Sequence, residues 1–330
     1  MSKGLIYHKD GSFTRPDTDY RSFISREPGA EFPPEAGRYA LYISPGCPWA
    51  HRTMIMRKLK GLEDIIELIQ VHPYLGQDGW YFSGEMGSPP EDPLHPGFTT
   101  LKQLYLSNDP NFSGRYTVPL LWDKKTDRPV NNESSELIVM FATEFDGLIP
   151  EHLRESSKPD GGLYPANLKA EIDAINKTVY DTLNNGVYKV GFARSQESYE
   201  ENIGPLFETL RELDTWLSKT PYLVGNGLTL ADIRLYPTIA RFDAAYNTAM
   251  LCTLDTIRGG NYPNLHRWLR RLFWNADKHG NAFYDTTAPW LHYYPGGYAD
   301  SRRRIVFNAD IPLIIPKAPD VEILIPKLEG

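Results

Sequence analysis

The sequence predicts an α/β unit followed by an all-helical one. Three observations carry that expectation. A strand–helix–strand pattern occupies residues 38–71, with a cysteine at its first turn. Pro150, Pro159, Gly161, Gly162 and Pro165 then interrupt the chain. Beyond Ala166 the apolar residues recur at intervals of three and four. The chain has 330 residues, 41% apolar and 23% charged, enough material for two globular domains. A net charge of −7 leaves no basic footprint for nucleic acid or an anionic membrane, and no apolar run approaches the ~20 residues of a membrane helix. Two cysteines rule out a disulfide framework and a cysteine-based zinc module. The segment from Met1 to Asp10 holds no signal-peptide core, so a cytoplasmic protein is expected.

Residues 1–36 read as an extended arm. Arg15-Pro16-Asp17, Glu27-Pro28-Gly29 and Phe32-Pro33-Pro34-Glu35 punctuate it, and Tyr7, Phe13, Tyr20, Phe23 and Phe32 give it aromatics with which to pack on the body. Arg38–Ser44 is apolar on both faces, as a buried central strand is. Pro45-Gly46 turns the chain into Cys47-Pro48-Trp49-Ala50-His51-Arg52, and a helix follows through Leu59, with Gly61 at its C′ position. Ile65–Val71 reads as the second strand. Tyr116–Asp123 reads as a strand interrupted by Pro119; a cis bond there would let the Val118 backbone face outward. A hairpin over Asp123–Pro129 follows. Asn131-Asn132-Glu133-Ser134-Ser135-Glu136 then opens the helix that begins at Leu137. That opening reads either as a cap made by Asn132, Ser134 and Ser135 or as an anion site.

Cys47 stands where a helix begins. Unpaired N–H groups and about half a positive charge at such an end favour a thiolate, lowering the thiol below its free value of ~8.5. Pro48 fits the first helical position, where its missing N–H costs nothing. Ala50 stands where a resolving cysteine would be, so a disulfide at Cys47 needs an outside thiol, most naturally glutathione. Cys252 lies in an apolar stretch and reads as core packing.

In the second half, Ala166–Tyr188 and Glu197–Leu217 read as helices, the latter with Leu206, Leu210, Leu213 and Leu217 along one face. Thr229-Leu230-Ala231-Asp232 reads as a capping box opening a helix whose Ile233, Leu235 and Ile239 supply core contacts. Asn264–Phe273 reads as a basic amphipathic helix. The segment from Ser301 to Gly330 is apolar and rich in proline; no long helix is expected there, and it is expected to wrap back onto the body, covering a partner being the alternative.

The strings Cys-Pro-Trp-Ala-His-Arg at 47–52, Val118-Pro119 and Asn-Asn-Glu-Ser-Ser-Glu at 131–136 resemble those of the glutathionyl-hydroquinone reductases, the Xi class of glutathione transferases, related to the Omega class. The resemblance continues through Thr229–Leu235, Arg241-Phe242-Asp243 and His292-Tyr293-Tyr294, and covers roughly residues 15–320. It implies a thioredoxin-like glutathione-binding domain at 37–150, a glutathione-transferase helical substrate domain at 165–290 and a tail at 291–330, behind the 1–36 arm. It implies Cys47 as nucleophile, with Trp80, Arg115, Val118, Pro119, Glu133 and Ser134 around glutathione. Tyr164, Tyr246 and Tyr293 would hold and protonate the hydroquinone, Tyr294 being the alternative to Tyr293. On local residues alone, Trp80 reads as a core aromatic, Arg115 as a surface charge, and each tyrosine as a packed ring with its hydroxyl at the surface. The implied co-substrate is glutathione, with no metal. The implied partners are glutathionylated aromatic small molecules, no nucleic acid, no membrane, and a second copy in a homodimer through the helical domain. The implied reaction removes glutathione from an S-glutathionyl-hydroquinone through a Cys47–glutathione disulfide. An Omega-type thioltransferase or dehydroascorbate reductase, and a non-catalytic binding module, are the competing readings.

Overall fold

The computed structural model describes residues 6–158 and 161–328. The first five residues of the arm, Pro159 of the linker and Gly330 of the tail lie outside them. The described residues form two compact units, residues 17–162 and residues 163–328, with 6–16 belonging to the second.

The first unit is a four-stranded mixed sheet with helices packed on it. Its strands are β1 (Tyr39–Ile43), β2 (Ile66–Gln70), β3 (Leu120–Asp123) and β4 (Arg128–Asn131), in the order β2-β1-β3-β4. β1 pairs in parallel with β2, Leu41 opposite Leu68, and antiparallel with β3, Leu41 opposite Leu121. Every residue of β1 and β3 is buried, as two-faced burial requires of central strands. Helix α1 (Pro48–Leu59) connects β1 to β2, α2 (Leu101–Asn108) precedes β3, and α3 (Ser134–Thr143) follows β4 and packs beside α1. Arg38, just before β1, grips Asp123 through two parallel hydrogen bonds of 2.9 and 2.6 Å, both groups buried. The expected strand over Tyr116–Asp123 begins only at Leu120; Tyr116–Val118 is loop, tied instead to side chains described below. The arm covers the open edge of β4: Ser22 donates its N–H to Val130 and Asn132 donates to Tyr20. Ile24 and Phe32 are buried there, whereas Phe23, expected to pack, is exposed.

The second unit is helical: α4 (Lys169–Val179), α5 (Gly186–Gly191), α6 (Gln196–Leu217), α7 (Leu230–Arg241), α8 (Pro263–Trp274) and α9 (Tyr294–Phe307), with shorter turns between. The single helix expected over Ala166–Tyr188 is broken by a π turn, Tyr180–Asn184. Asn184-Asn185-Gly186 is a run of poor helix formers, and the Asn184 amide donates to Thr238 Oγ1 at 2.8 Å. The capping box forms: the fully buried Asp232 carboxylate accepts from the N–H groups of Thr229 and Leu223, both at 3.0 Å, and from Trp268 Nε1 at 2.9 Å. One carboxylate thereby joins the start of α7, the loop before it and α8. Residues of the arm pack here too, as a small hairpin of Ile6–Tyr7 with Phe13–Thr14 whose Phe13 ring meets Phe192 edge-on. No helix among the described residues is long and apolar enough to cross a membrane.

The tail departs from its expected course. Ser301–Phe307 is helical, the second half of α9; Pro295 is tolerated in the first turn and no proline recurs before Pro312. Ile311, Leu313, Ile314 and Ile315 then remain exposed, and the tail packs back at Leu324 and Ile325. His266, Arg270 and Trp274, spaced four apart and so on one face of α8, donate to the tail carbonyls of Leu324, Pro326 and Ile325 at 3.2, 2.6 and 2.9 Å. Leu324 and Ile325 are buried between them. Truncation after Pro319 is expected to destabilise the second unit by about 3 kcal/mol, the scale for exposing two large aliphatic side chains. Denaturant unfolding followed by tryptophan fluorescence checks this; an unchanged midpoint would show the anchoring to be energetically idle.

Candidate active site

Cys47 is the N-cap of α1, with extended backbone and no capping bond from its own side chain. Pro48 occupies the first helical position, and Cys47 accepts the first intrahelical bond from His51 N–H at 3.0 Å. The turn that delivers it admits only glycine at 46, where a Cβ would fall 2.1 Å from the Pro73 carbonyl. Cys47 is buried, and its sulfur lies 3.5 Å from the carbonyl oxygen of Val118.

That carbonyl belongs to the loop ahead of β3, and the Val118–Pro119 peptide is cis. Asn132 holds the loop in place. Its amide nitrogen donates to Thr117 Oγ1 and to Tyr105 OH, both at 3.1 Å, and its amide oxygen accepts from Tyr20 N–H at 3.1 Å. Asn132 does not cap the helix, as one reading had it: it ties three segments together, and the cap of α3 is Glu133, whose carboxylate accepts from Ser135 N–H at 3.0 Å. Ser134 is the first helical residue, buried, and its hydroxyl accepts from Arg52 Nη1 at 3.3 Å. Arg52 itself lies 4.6 Å over the Trp49 ring. The structure thus brings Cys47 beside Val118, and Ser134 beside a buried guanidinium. Arg52 was visible in the 47–52 string but carried no role in the sequence reading, because nothing local shows that the fifth residue after the cysteine reaches the start of α3.

Trp80 is half-buried in the long loop between β2 and α2, and its carbonyl accepts from Leu101 N–H at 3.0 Å. Its neighbour Tyr81 stacks on His72, with 4.6 Å between ring centroids, and bonds its Nδ1 at 2.9 Å. Farther along, a clasp fixes the loop to the sheet. Buried Asp92 accepts from Tyr42 OH at 2.9 Å and pairs with His95 Nδ1 at 2.9 Å, while His95 Nε2 pairs with Asp127 of the β3–β4 hairpin at 2.8 Å. Arg115 is half-buried beside Tyr116.

In the second unit the structure gathers a different set of tyrosines from the one expected. Tyr246 is fully buried in a π turn, Phe242–Tyr246, that prolongs α7. Its hydroxyl lies 3.0 Å from that of Tyr298 and 3.4 Å from that of Tyr188, and the latter two are 3.4 Å apart. Burial holds the Tyr246 and Tyr298 phenols well above their ordinary range, so both stay protonated at neutral pH. Tyr164 instead donates to Asp173 Oδ1 at 2.7 Å and is pushed up to about 12, by burial and then by that carboxylate. Tyr293, half-buried, lies against His292 with centroids 3.7 Å apart. No hydrogen bond joins either of them to Tyr246 among the described residues. Tyr294 is buried, its ring 4.0 Å from the guanidinium carbon of Arg241. Tyr298 and Tyr188 were not singled out: the first lies in the stretch read as tail, the second in α5, just past the break after α4. Cys252 is fully buried, and burial pushes its thiol far above the ordinary range.

Residues 46–144 match the glutathione S-transferase N-terminal domain family, and residues 196–271 the glutathione S-transferase C-terminal domain family. The chain is 47% identical over 281 residues to glutathione S-transferase omega-like 2 of Schizosaccharomyces pombe, covering 84% of this chain and 86% of that protein. It is 46% identical over 268 residues to the glutathionyl-hydroquinone reductase PcpF of Sphingobium chlorophenolicum, covering 79% of each. The crystal structure of the glutathione-S-transferase Xi from Phanerochaete chrysosporium superposes with a TM-score of 0.87 at 46% identity, covering 99% of this chain and 98% of that one.

Two outcomes are expected from this geometry. Asn132→Ala leaves buried groups of three segments without their partner and should destabilise the first unit by about 1–3 kcal/mol while weakening glutathione binding; urea titration and calorimetry check the two effects. The second concerns His95. Burial disfavours its charge, but the bonds to Asp127 and Asp92 outweigh this, and the folded imidazole titrates above its ordinary ~6.5. Its contribution is therefore complete below that value and is lost as pH rises through the higher folded one. The urea midpoint of the first unit should fall across that window, and His95→Gln should remove that component of the slope.

Proposed function

The chain belongs to the glutathionyl-hydroquinone reductases, the Xi class of the glutathione transferases, and on that premise we propose that it removes glutathione from S-glutathionyl-hydroquinones with Cys47 as nucleophile. The observation that carries this reading is the setting of Cys47: a helix-capping cysteine with its sulfur 3.5 Å from a loop carbonyl and no second cysteine in its motif. A helix start favours a thiolate. The Val118 backbone beside it suits the cysteinyl unit of glutathione. Ser134, with Arg52 behind it, suits the γ-glutamyl carboxylate, and Glu133 its ammonium. Trp80 and Arg115 are assigned to the remainder of the tripeptide, with Pro119 shaping the loop.

The balance of the reaction is as follows. In the ring tautomer with a carbonyl next to the C–S bond, Cys47 thiolate attacks the glutathione sulfur. The S–S bond forms, the C–S bond breaks, and its electron pair passes to the ring as an enolate, which takes one proton and leaves as hydroquinone. A second glutathione, as thiolate, attacks the Cys47 disulfide, releasing glutathione disulfide and Cys47 thiolate. The thioether sulfur and one glutathione thiol are oxidised to the disulfide, and one ring carbon is reduced. Negative charge grows on a ring oxygen, so protonated hydroxyls near it lower the barrier. That duty falls to the second unit: Tyr246 with Tyr298 and Tyr188, and Tyr164 and Tyr293 as further contacts. Assembly as a homodimer through the helical unit belongs to the same proposal.

The test is mass spectrometry of the protein mixed with S-glutathionyl-hydroquinone in the absence of free glutathione. One glutathione gained on Cys47 per hydroquinone released is expected, and Cys47→Ser should abolish both. Tyr298→Phe should slow release on the order of a hundredfold, the scale for losing one oxyanion donor, with far less effect on glutathionylation by a small mixed disulfide. No adduct and no release, from protein that the small disulfide still glutathionylates, would leave a general thioltransferase instead.

A further inference from the structure

Arg241 ends α7 with no exposed surface at all. Its Nη1 donates to the Pro237 carbonyl one turn back, at 3.0 Å, and its guanidinium carbon lies 4.0 Å from the ring centre of Tyr294. Tyr294 and Tyr298 are four residues apart on α9 and so share a face. Immediately after Arg241 the backbone enters the π turn that sets Tyr246 against Tyr298 and Tyr188. A methionine or leucine would fill this place without the cost of burying a charge. A cation kept here calls for something that needs its field. We infer that Arg241 is a positioning residue for hydroquinone release, its buried positive charge strengthening the Tyr188–Tyr246–Tyr298 hydroxyls as hydrogen-bond donors toward a ring oxygen that turns negative.

The inference rests on the reading that these hydroxyls face the departing ring. On that reading Tyr298 and Tyr188, which keep 6% and 9% of their surface, meet the ring, and the fully covered Tyr246 acts through them. Four phenols are among the groups that act on the guanidinium, Tyr294, Tyr298, Tyr246 and Tyr188. Burial raises the phenols, and the guanidinium works in the opposite direction on Tyr246, Tyr298 and Tyr294. In a site of low dielectric a fixed charge one layer behind a hydroxyl stays effective, since little water screens it. As the C–S electron pair reaches the ring oxygen, that charge favours the anion, whether the shared proton sits on the tyrosine or on the ring. Arg241 supplies no proton and touches no reacting atom.

The experiment compares wild type, Arg241→Lys and Arg241→Met on S-glutathionyl-hydroquinones whose ring substituents make the ring oxygen progressively more acidic. Hydroquinone release and Cys47 glutathionylation by a small mixed disulfide are timed separately. Arg241→Met should slow release about tenfold or more relative to glutathionylation. The loss should be largest for the least acidic ring and shrink as acidity rises, and Arg241→Lys should recover most of it. Equal loss for every ring, equal loss in the lysine and methionine variants, or no loss would overturn the inference. Because Arg241→Met may fail to fold, the second measurement uses wild type alone. The ionisation of bound 4-nitrophenol, displaceable by hydroquinone, is followed by its visible absorbance. A bound value below the free one is expected beside the cation; a value at or above it overturns the inference. Wild-type protein that releases no hydroquinone would overturn the reading itself, and this inference with it.

Discussion

The first unit is organised around one separation, the 3.5 Å between the Cys47 sulfur and the Val118 carbonyl. The two groups lie far apart in sequence, and neither position is set by its own neighbours alone. Cys47 is carried by β1 and by a turn with room only for glycine at 46. Val118 is carried by the loop ahead of β3, a strand buried on both faces. The pairing of β1 with β3 fixes the two carriers, and Asn132 fixes the loop from the other side by bonding Thr117. A sheet without that amide would still hold its strands. It would not hold the carbonyl.

Two buried charges organise the second unit, and they do opposite work. Asp232 accepts hydrogen bonds from two backbone N–H groups, an indole and the Thr229 hydroxyl, so its negative charge is spread over donors of three segments. That is a structural use of a carboxylate, and even with four donors burial holds it above its ordinary range. Arg241 faces the soft face of one phenol and the hydroxyls behind it. On the inference drawn above, its charge acts at the hydroxyl cluster, a use in the chemistry beside its use in packing.

What the sequence made legible follows the range of the interactions. Elements fixed by local rules came through: β1 and its turn, α1 with Pro48 at its start, the hairpin after β3, and the capping box at Thr229. The helix break after Val179 did not, because Asn184 leaves the regular helix to bond Thr238 on α7, a partner fifty-odd residues away. The continuation of α9 through Phe307 was hidden by the prolines that follow it. The proposed glutathione side rests on short strings, of which Cys47 and Glu133-Ser134 sit at helix starts that sequence can place. The hydroxyl triangle was recognisable at one corner only. Nothing in the spacing of residues 188, 246 and 298 announces that a π turn and two helices bring three phenols within 3.4 Å.

This asymmetry matches what the proposed chemistry asks of each unit. Exchange between a thiolate and a disulfide needs a good nucleophile, and a thiolate that is stabilised too strongly loses nucleophilicity. At Cys47 a helix start favours the anion while the Val118 carbonyl, an acceptor, does not, so the sulfur sits between opposing influences. Such a balance serves any glutathione disulfide. Breaking a carbon–sulfur bond to an aromatic ring is a different demand, because the ring is a poor leaving group until charge on its oxygen is met. No adjustment at Cys47 supplies that. On the proposed reading, discrimination between a general thioltransferase and a hydroquinone reductase therefore lies with the protonated hydroxyls of the helical unit and the cation behind them, and the cysteine is common to both.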